Sequence, residues 1–190
     1  MEIVFFVIIG IIVVTVFYTV SLYNGLVSLK HGVSKAWANI DVLLKQRHDE
    51  LPKLVETCKQ YMQYEQETLE KVILARSDVS KARKAGDIAA LGIAEGVLQK
   101  GMGSLFAVAE AYPDLKADAS FQQLQQRISN LENSIADRRE FYNESVNNNN
   151  VRIEQFPDLL IANIFNFKSA ELLEFEQSQT EDVSIKGLFD

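Results

Sequence analysis

The sequence predicts an all-α chain tied to a membrane by one N-terminal helix. Three observations carry this. Residues 3–22 hold no charged side chain and are dominated by Ile, Val, Phe and Leu. From Val33 onward, apolar residues recur at helical spacing. Only 3 prolines and 9 glycines punctuate 190 residues, which leaves room for long uninterrupted helices.

The uncharged run is read as a retained anchor. Twenty residues at ~1.5 Å each reach ~30 Å, the thickness of bilayer hydrocarbon. A helix satisfies its own backbone polar groups there. A cleavable signal peptide would need a basic start, a shorter apolar core and small residues at the cut. Here the chain starts Met1-Glu2, and Ser21-Leu22-Tyr23-Asn24 is a poor cleavage site. Lys30, Lys35, Lys45 and Arg47 follow the run and none precedes it. The positive-inside rule therefore expects the helical part in the cytoplasm, with a periplasmic or extracellular placement as the alternative.

A formal net charge of −7 argues against nucleic acid, which calls for a basic face. The single cysteine, Cys58, excludes an internal disulfide and is expected to pack as a small hydrophobe.

Beyond the anchor, Val33, Trp37, Ile40 and Leu44 are spaced 4, 3 and 4 apart. Positions 37, 44, 51, 58, 65, 72 and 79 read Trp, Leu, Leu, Cys, Glu, Val and Val, a bundle or coiled-coil seam interrupted by Glu65. Pro52 either kinks one helix or opens a new one after a turn at His48, Asp49 and Glu50. Ala85-Gly86-Asp87 supplies a glycine stop and an acidic cap. Gly92, Gly96, Gly101 and Gly103 then leave space for a close neighbour or simply weaken their helix. Tyr112-Pro113-Asp114 ends that helix. Ser120-Phe121-Gln122-Gln123 reads as a capping box. It opens a helix whose stripe is Phe121, Leu124, Ile128, Leu131, Ile135, Phe141 or Tyr142, and Val146, running to about Gln155. Phe156-Pro157 stops it. The apolar segment 159–167, with Leu159, Leu160, Ile161, Ala162, Ile164, Phe165 and Phe167, is too short to span a bilayer. It is left to pack on the bundle, lie at the membrane surface or meet another subunit.

These motifs, in this order, resemble the LemA family of bacterial membrane proteins. The matching segments are Tyr23-Asn24-Gly25-Leu26-Val27, Ala36-Trp37-Ala38-Asn39-Ile40-Asp41-Val42-Leu43-Leu44-Lys45, Arg47-His48-Asp49, Leu54-Val55-Glu56-Thr57, Ala109-Glu110-Ala111-Tyr112-Pro113-Asp114-Leu115-Lys116-Ala117, Tyr142-Asn143 and Phe156-Pro157. The resemblance implies an anchor followed by an antiparallel four-helix up-and-down bundle, in a bacterial cytoplasmic membrane, with no established enzymatic activity. The chain is expected to divide into an anchor (1–23), a bundle (24–176) and an acidic tail (177–190); the acidic, polar stretch from Glu174 to Asp190 is expected to be mobile apart from Val183, Ser184 and Ile185. The chain departs from the family at Asn149-Asn150, where Tyr-Asn is common, and at Asn166, where Gly is common. Asn tolerates a left-handed backbone, so the turn at Asn166 is expected to survive.

No residue is assigned to catalysis, a metal or a cofactor. His48-Asp49-Glu50 is the nearest approach to an acid–base cluster, but adjacent helical residues diverge, and the other histidine, His31, is distant in sequence. Trp37 with Asn39 and Asp41 could form a small binding site, though a core tryptophan is the plainer reading. Tyr61, Tyr64 and Tyr112 could line a pocket, but aromatics at helical spacing are usually core. Gly101-Met102-Gly103 lacks the spacing and the Lys-Ser/Thr of a phosphate loop. The expected role is a membrane-anchored structural or interaction protein. It would meet lipid through residues 3–22. It would meet like subunits or other membrane proteins through Val33, Trp37, Ile40, Leu44 and the segment 159–167. A sensor binding a ligand in a cleft of the bundle is the alternative.

Overall fold

A computed structural model describes residues 1–175; the tail expected at 177–190 lies outside the described residues. The chain is all-α: α1 is Glu2–Lys59, α2 Gln66–Ala85, α3 Ile88–Ala109, α4 Pro113–Ala117, α5 Ala119–Glu154 and α6 Asp158–Ile164. No strand occurs among the described residues. Two compact units form. One joins Met1–Leu44 to Asn133–Leu172, and the other joins Lys45–Glu132 to Leu173–Asp190.

In the first unit, α1 carries the uncharged run, and Ile3, Phe6, Val14 and Phe17 stand well exposed. None of the described residues covers them. Further along, Ala36, Ile40 and Leu44 are buried. Ile40 and Leu44 are thus spent on the chain's own core and offer a partner no surface. On α5, Ile135, Tyr142 and Val146 are buried while Phe141 is exposed, which settles the stripe on Tyr142. A second small core joins Leu22 and Leu26 of α1, Ile153 of α5, and Ile161 and Ala162 of α6, with Tyr23 and Phe167 packed against it.

In the second unit, α2 buries Leu69, Val72, Ala75, Val79 and Ala82, and α3 buries Leu91, Ala94, Leu98, Met102 and Leu105. The turn between them is built as expected. Gly86 takes φ 69°, and the Asp87 side chain accepts the Ala90 N–H at 2.8 Å. A Cβ on Gly101 would sit 3.5 Å from Val72 Cγ2, and one on Gly92 only 2.0 Å from the Glu174 carbonyl oxygen. The close neighbour at Gly92 is therefore an extended segment, not a helix.

Two expectations need correction, and one open choice is decided. The heptad line from 37 to 79 is not one helix: α1 ends at Lys59 and Glu65 stands before α2. The connection has neither Gly nor Pro and is fixed by side-chain hydrogen bonds instead. Tyr61 Oη donates to Asp118 Oδ2 at 3.1 Å, and Tyr112 Oη donates to Glu65 Oε2 at 2.6 Å. The cap of α5 is Asp118, which accepts the Phe121 N–H at 2.8 Å, so Ser120 already lies inside the helix. Of the two readings at Pro52, a new helix or continuation of one, the second holds: α1 runs through it.

Pro52 has no N–H, so the His48 carbonyl loses its intrahelical donor. Arg76 of α2 replaces it, donating Nε to His48 O at 2.9 Å, with Nη2 at 2.8 Å from His48 Nε2. Arg76→Met should cost about 1–3 kcal/mol, the penalty for a carbonyl left without a donor. In a Pro52→Ala background the cost should shrink, because residue 52 regains its N–H. Urea titrations of the four proteins check this, and equal costs in both backgrounds would contradict it.

Candidate functional site

Two places gather polar chemistry, one in each unit. In the second unit Arg47 is 1% exposed. Its Nη2 donates to both carboxylate oxygens of Glu95 at 2.5 Å, and Nη1 donates to Glu132 Oε1 at 2.6 Å. Arg47 sits on α1, Glu95 on α3 and Glu132 on α5, so one guanidinium ties three helices. Burial opposes the charge on Arg47. The attraction and hydrogen bonds of the two glutamates more than offset it, and the arginine pKa is raised. Nearby, Glu50 Oε1 accepts from Lys53 Nζ at 3.1 Å, and Oε2 lies 3.2 Å from Arg127 Nη2.

His48 belongs to the same unit. Arginine can only donate, so His48 Nε2 must be the unprotonated nitrogen. Burial first, and then the Arg76 charge, hold the imidazole below its usual pKa. His48 is therefore a neutral acceptor that docks α2. Its neighbour Asp49 is exposed, so His48, Asp49 and Glu50 do not converge. Cys58 is fully buried, and burial pushes its thiol up to about 12, which suits packing rather than nucleophilic attack. The three tyrosines do not line one pocket: Tyr61 and Tyr112 tie loops, and Tyr64 is 90% exposed.

In the first unit, Trp37 is half-buried with its ring centroid 5.7 Å from that of Tyr142, and Asn39 is exposed. The segment after α6 is held by α5 side chains. Tyr142 Oη donates to the Glu171 carbonyl at 2.9 Å. Asn150 Nδ2 donates to Ala170 O at 2.9 Å, and the Ala170 N–H donates back to Asn150 Oδ1 at 2.9 Å. The asparagine run thus stays helical, and Asn150 mimics a strand partner. Asn166 takes φ 55°, as expected for a residue standing where a glycine is common. A hollow of about 610 Å³ opens here, lined by Tyr23, Lys30, His31, Phe165 and Lys168 among others.

Sequence reasoning passed over Arg47 and Glu95, although a signal was present. Arg47 continues the 33, 37, 40, 44 series by a step of three, with Leu51 four residues on. Glu95 lies four after Leu91 and three before Leu98. A charge on a helix's apolar stripe is a buried charge in want of a partner.

These features define an all-α protein whose first helix opens with an uncharged run of membrane-crossing length and whose buried charges join helices. The LemA family profile matches residues 36–186, and the chain belongs to the LemA family. It is similar to Magnetosome protein MamQ 2 of Paramagnetospirillum magneticum, 25% identical over 187 residues, covering 86% of this chain and 68% of the relative. It is also similar to Magnetosome protein MamQ of Magnetospirillum gryphiswaldense, 24% identical over 173 residues, covering 78% of this chain and 63% of the relative.

Removing one partner of a buried ion pair leaves an uncompensated charge and costs about 3–5 kcal/mol. Arg47→Met should therefore unfold the second unit at markedly lower denaturant. The triple change Arg47→Met, Glu95→Leu, Glu132→Leu should recover most of the loss. Denaturant midpoints followed by circular dichroism test this, and a triple variant no better than the single one would contradict it.

Proposed function

We propose that the chain is a membrane-anchored structural and interaction protein that carries out no reaction of its own. The observation that carries this reading is the uncharged run at 3–22, which none of the described residues covers. Leaving some fifteen such side chains in water would cost on the order of tens of kcal/mol, and bilayer hydrocarbon removes that cost. The single pass lies in a bacterial cytoplasmic membrane, with the helical part on the cytoplasmic side, where Lys30 and Lys35 belong. The end of α1, α2, α3 and the start of α5 make an antiparallel four-helix bundle. The name of the relatives, magnetosome proteins, points to a cell structure rather than a reaction, which fits this role.

Like subunits would meet on the α2–α3 face, where Leu74, Ile93 and Val97 are 64%, 55% and 52% exposed. A second reading, a ligand-binding module, draws on a cleft of about 470 Å³ on that face, lined by small apolar residues such as Ala82, Ala90 and Ala94. Filling it with Val97→Trp would then abolish uptake of an apolar dye and leave the oligomeric state unchanged.

The full chain should resist alkaline carbonate extraction from membranes and scatter light as more than one copy in mild detergent. Ile93→Glu should shift it to monomer. Extraction by carbonate would refute the anchor, and a monomeric parent chain would refute self-assembly.

A further inference from the structure

α6 packs where α1 comes to the end of its uncharged run. Ile161 and Ala162 lie in one small core with Leu22, the last residue of that run, and with Leu26. The Tyr23 ring stands 4.8 Å from Phe165 and 5.8 Å from Phe167, centroid to centroid. If α1 crosses the bilayer, lipid surrounds it at the level of Leu22 on every side that α6 does not cover. The outer side of α6 then faces that same lipid.

Its chemistry suits such a place. Phe156 is 80% exposed, Ile164 73%, Leu160 54% and Phe165 53%, and no charged residue occurs from 159 to 167. The one charge on the helix, Asp158, is buried and accepts from Arg152 Nε at 2.6 Å. Lys30, His31 and Lys168 line the adjoining hollow. Aromatic rings and long basic side chains flanking an apolar face are the composition of the layer between hydrocarbon and water. In water the same four side chains would be an unexplained apolar patch.

We propose that α6, with Phe156 and Phe165, is a second membrane contact. It lies in the interfacial layer of the leaflet from which α1 emerges, ~5–10 Å below the headgroups, with Lys30 and Lys168 reaching toward lipid phosphates. This rests on the anchor reading of residues 3–22. The chain would then grip the bilayer at two points, a crossing helix and a surface helix, and its first unit could not swing freely about the anchor.

The test uses the full chain in vesicles of three parts phosphatidylcholine to one part phosphatidylglycerol. Single cysteines are placed in a Cys58→Ser background and labelled with an environment-sensitive nitrobenzoxadiazole dye. Ile164→Cys reports on α6, Val13→Cys on the crossing segment and Asp137→Cys on water. The expected result is a several-fold brighter, blue-shifted signal at 164 than at 137, quenched by lipids nitroxide-labelled near the headgroup. The dye at 13 should be quenched by lipids labelled deep in the acyl chain. A water-like signal at 164 with a deeply quenched signal at 13 overturns the surface contact and leaves the anchor standing. Water-like signals at both overturn the anchor and the surface contact with it.

Discussion

The Arg47 guanidinium holds its charge away from water, and the second unit is arranged to compensate it. A lone buried cation is among the most costly groups a fold can hold. Here Glu95 comes from α3 and Glu132 from α5, so the charge is compensated only when α1, α3 and α5 stand in one register. Such a cluster adds little net stability compared with well-packed apolar side chains. What it adds is selectivity, because a helix slipped by one turn would leave a carboxylate or the guanidinium without its partner. The Glu132 side chain keeps 21% exposure, so that carboxylate stays close to solvent.

The same helix meets a different demand at its other end. From Ile3 to Val20 its apolar side chains are exposed on all sides, and one face of α1 becomes buried only from Leu22 onward. A helix that is apolar all round wants hydrocarbon, whereas one with an apolar stripe wants other helices. α1 makes that change without a break, since Gly25 and Gly32 lie within it and have open space beside them. Residues 23–35 are thus helix rather than flexible linker.

Much of this was legible in the sequence because the governing signals are local. The Gly86-Asp87 turn and the end of α5 before Phe156-Pro157 each follow from one or two residues, the anchor follows from one uncharged run, and the left-handed Asn166 follows from the family resemblance that puts a glycine there. The rest depends on partners distant in the chain. No local signal closes α1 at Lys59, because the turn is held by Asp118 and Tyr112. Nothing near Pro52 says that Arg76 will take over the His48 carbonyl and keep the helix whole. Ser120 has a capping-box sequence, yet Asp118, two residues earlier, reaches the Phe121 amide. The segment 159–167 reads as uniformly apolar, and only the fold divides it into a face turned to Leu22 and a face turned outward. The ionic cluster lies in between: the positions of Arg47 and Glu95 on apolar stripes mark them as buried, but not as partners.

The proposed anchor requires α1 to be one helix that passes from lipid into the protein core. Hydrogen–deuterium exchange on the full chain in lipid vesicles tests this most directly. Continuous protection across residues 3–59 is the predicted result, with no fast-exchanging gap at 23–35. Rapid exchange confined to 23–35 would show a flexible tether and contradict it.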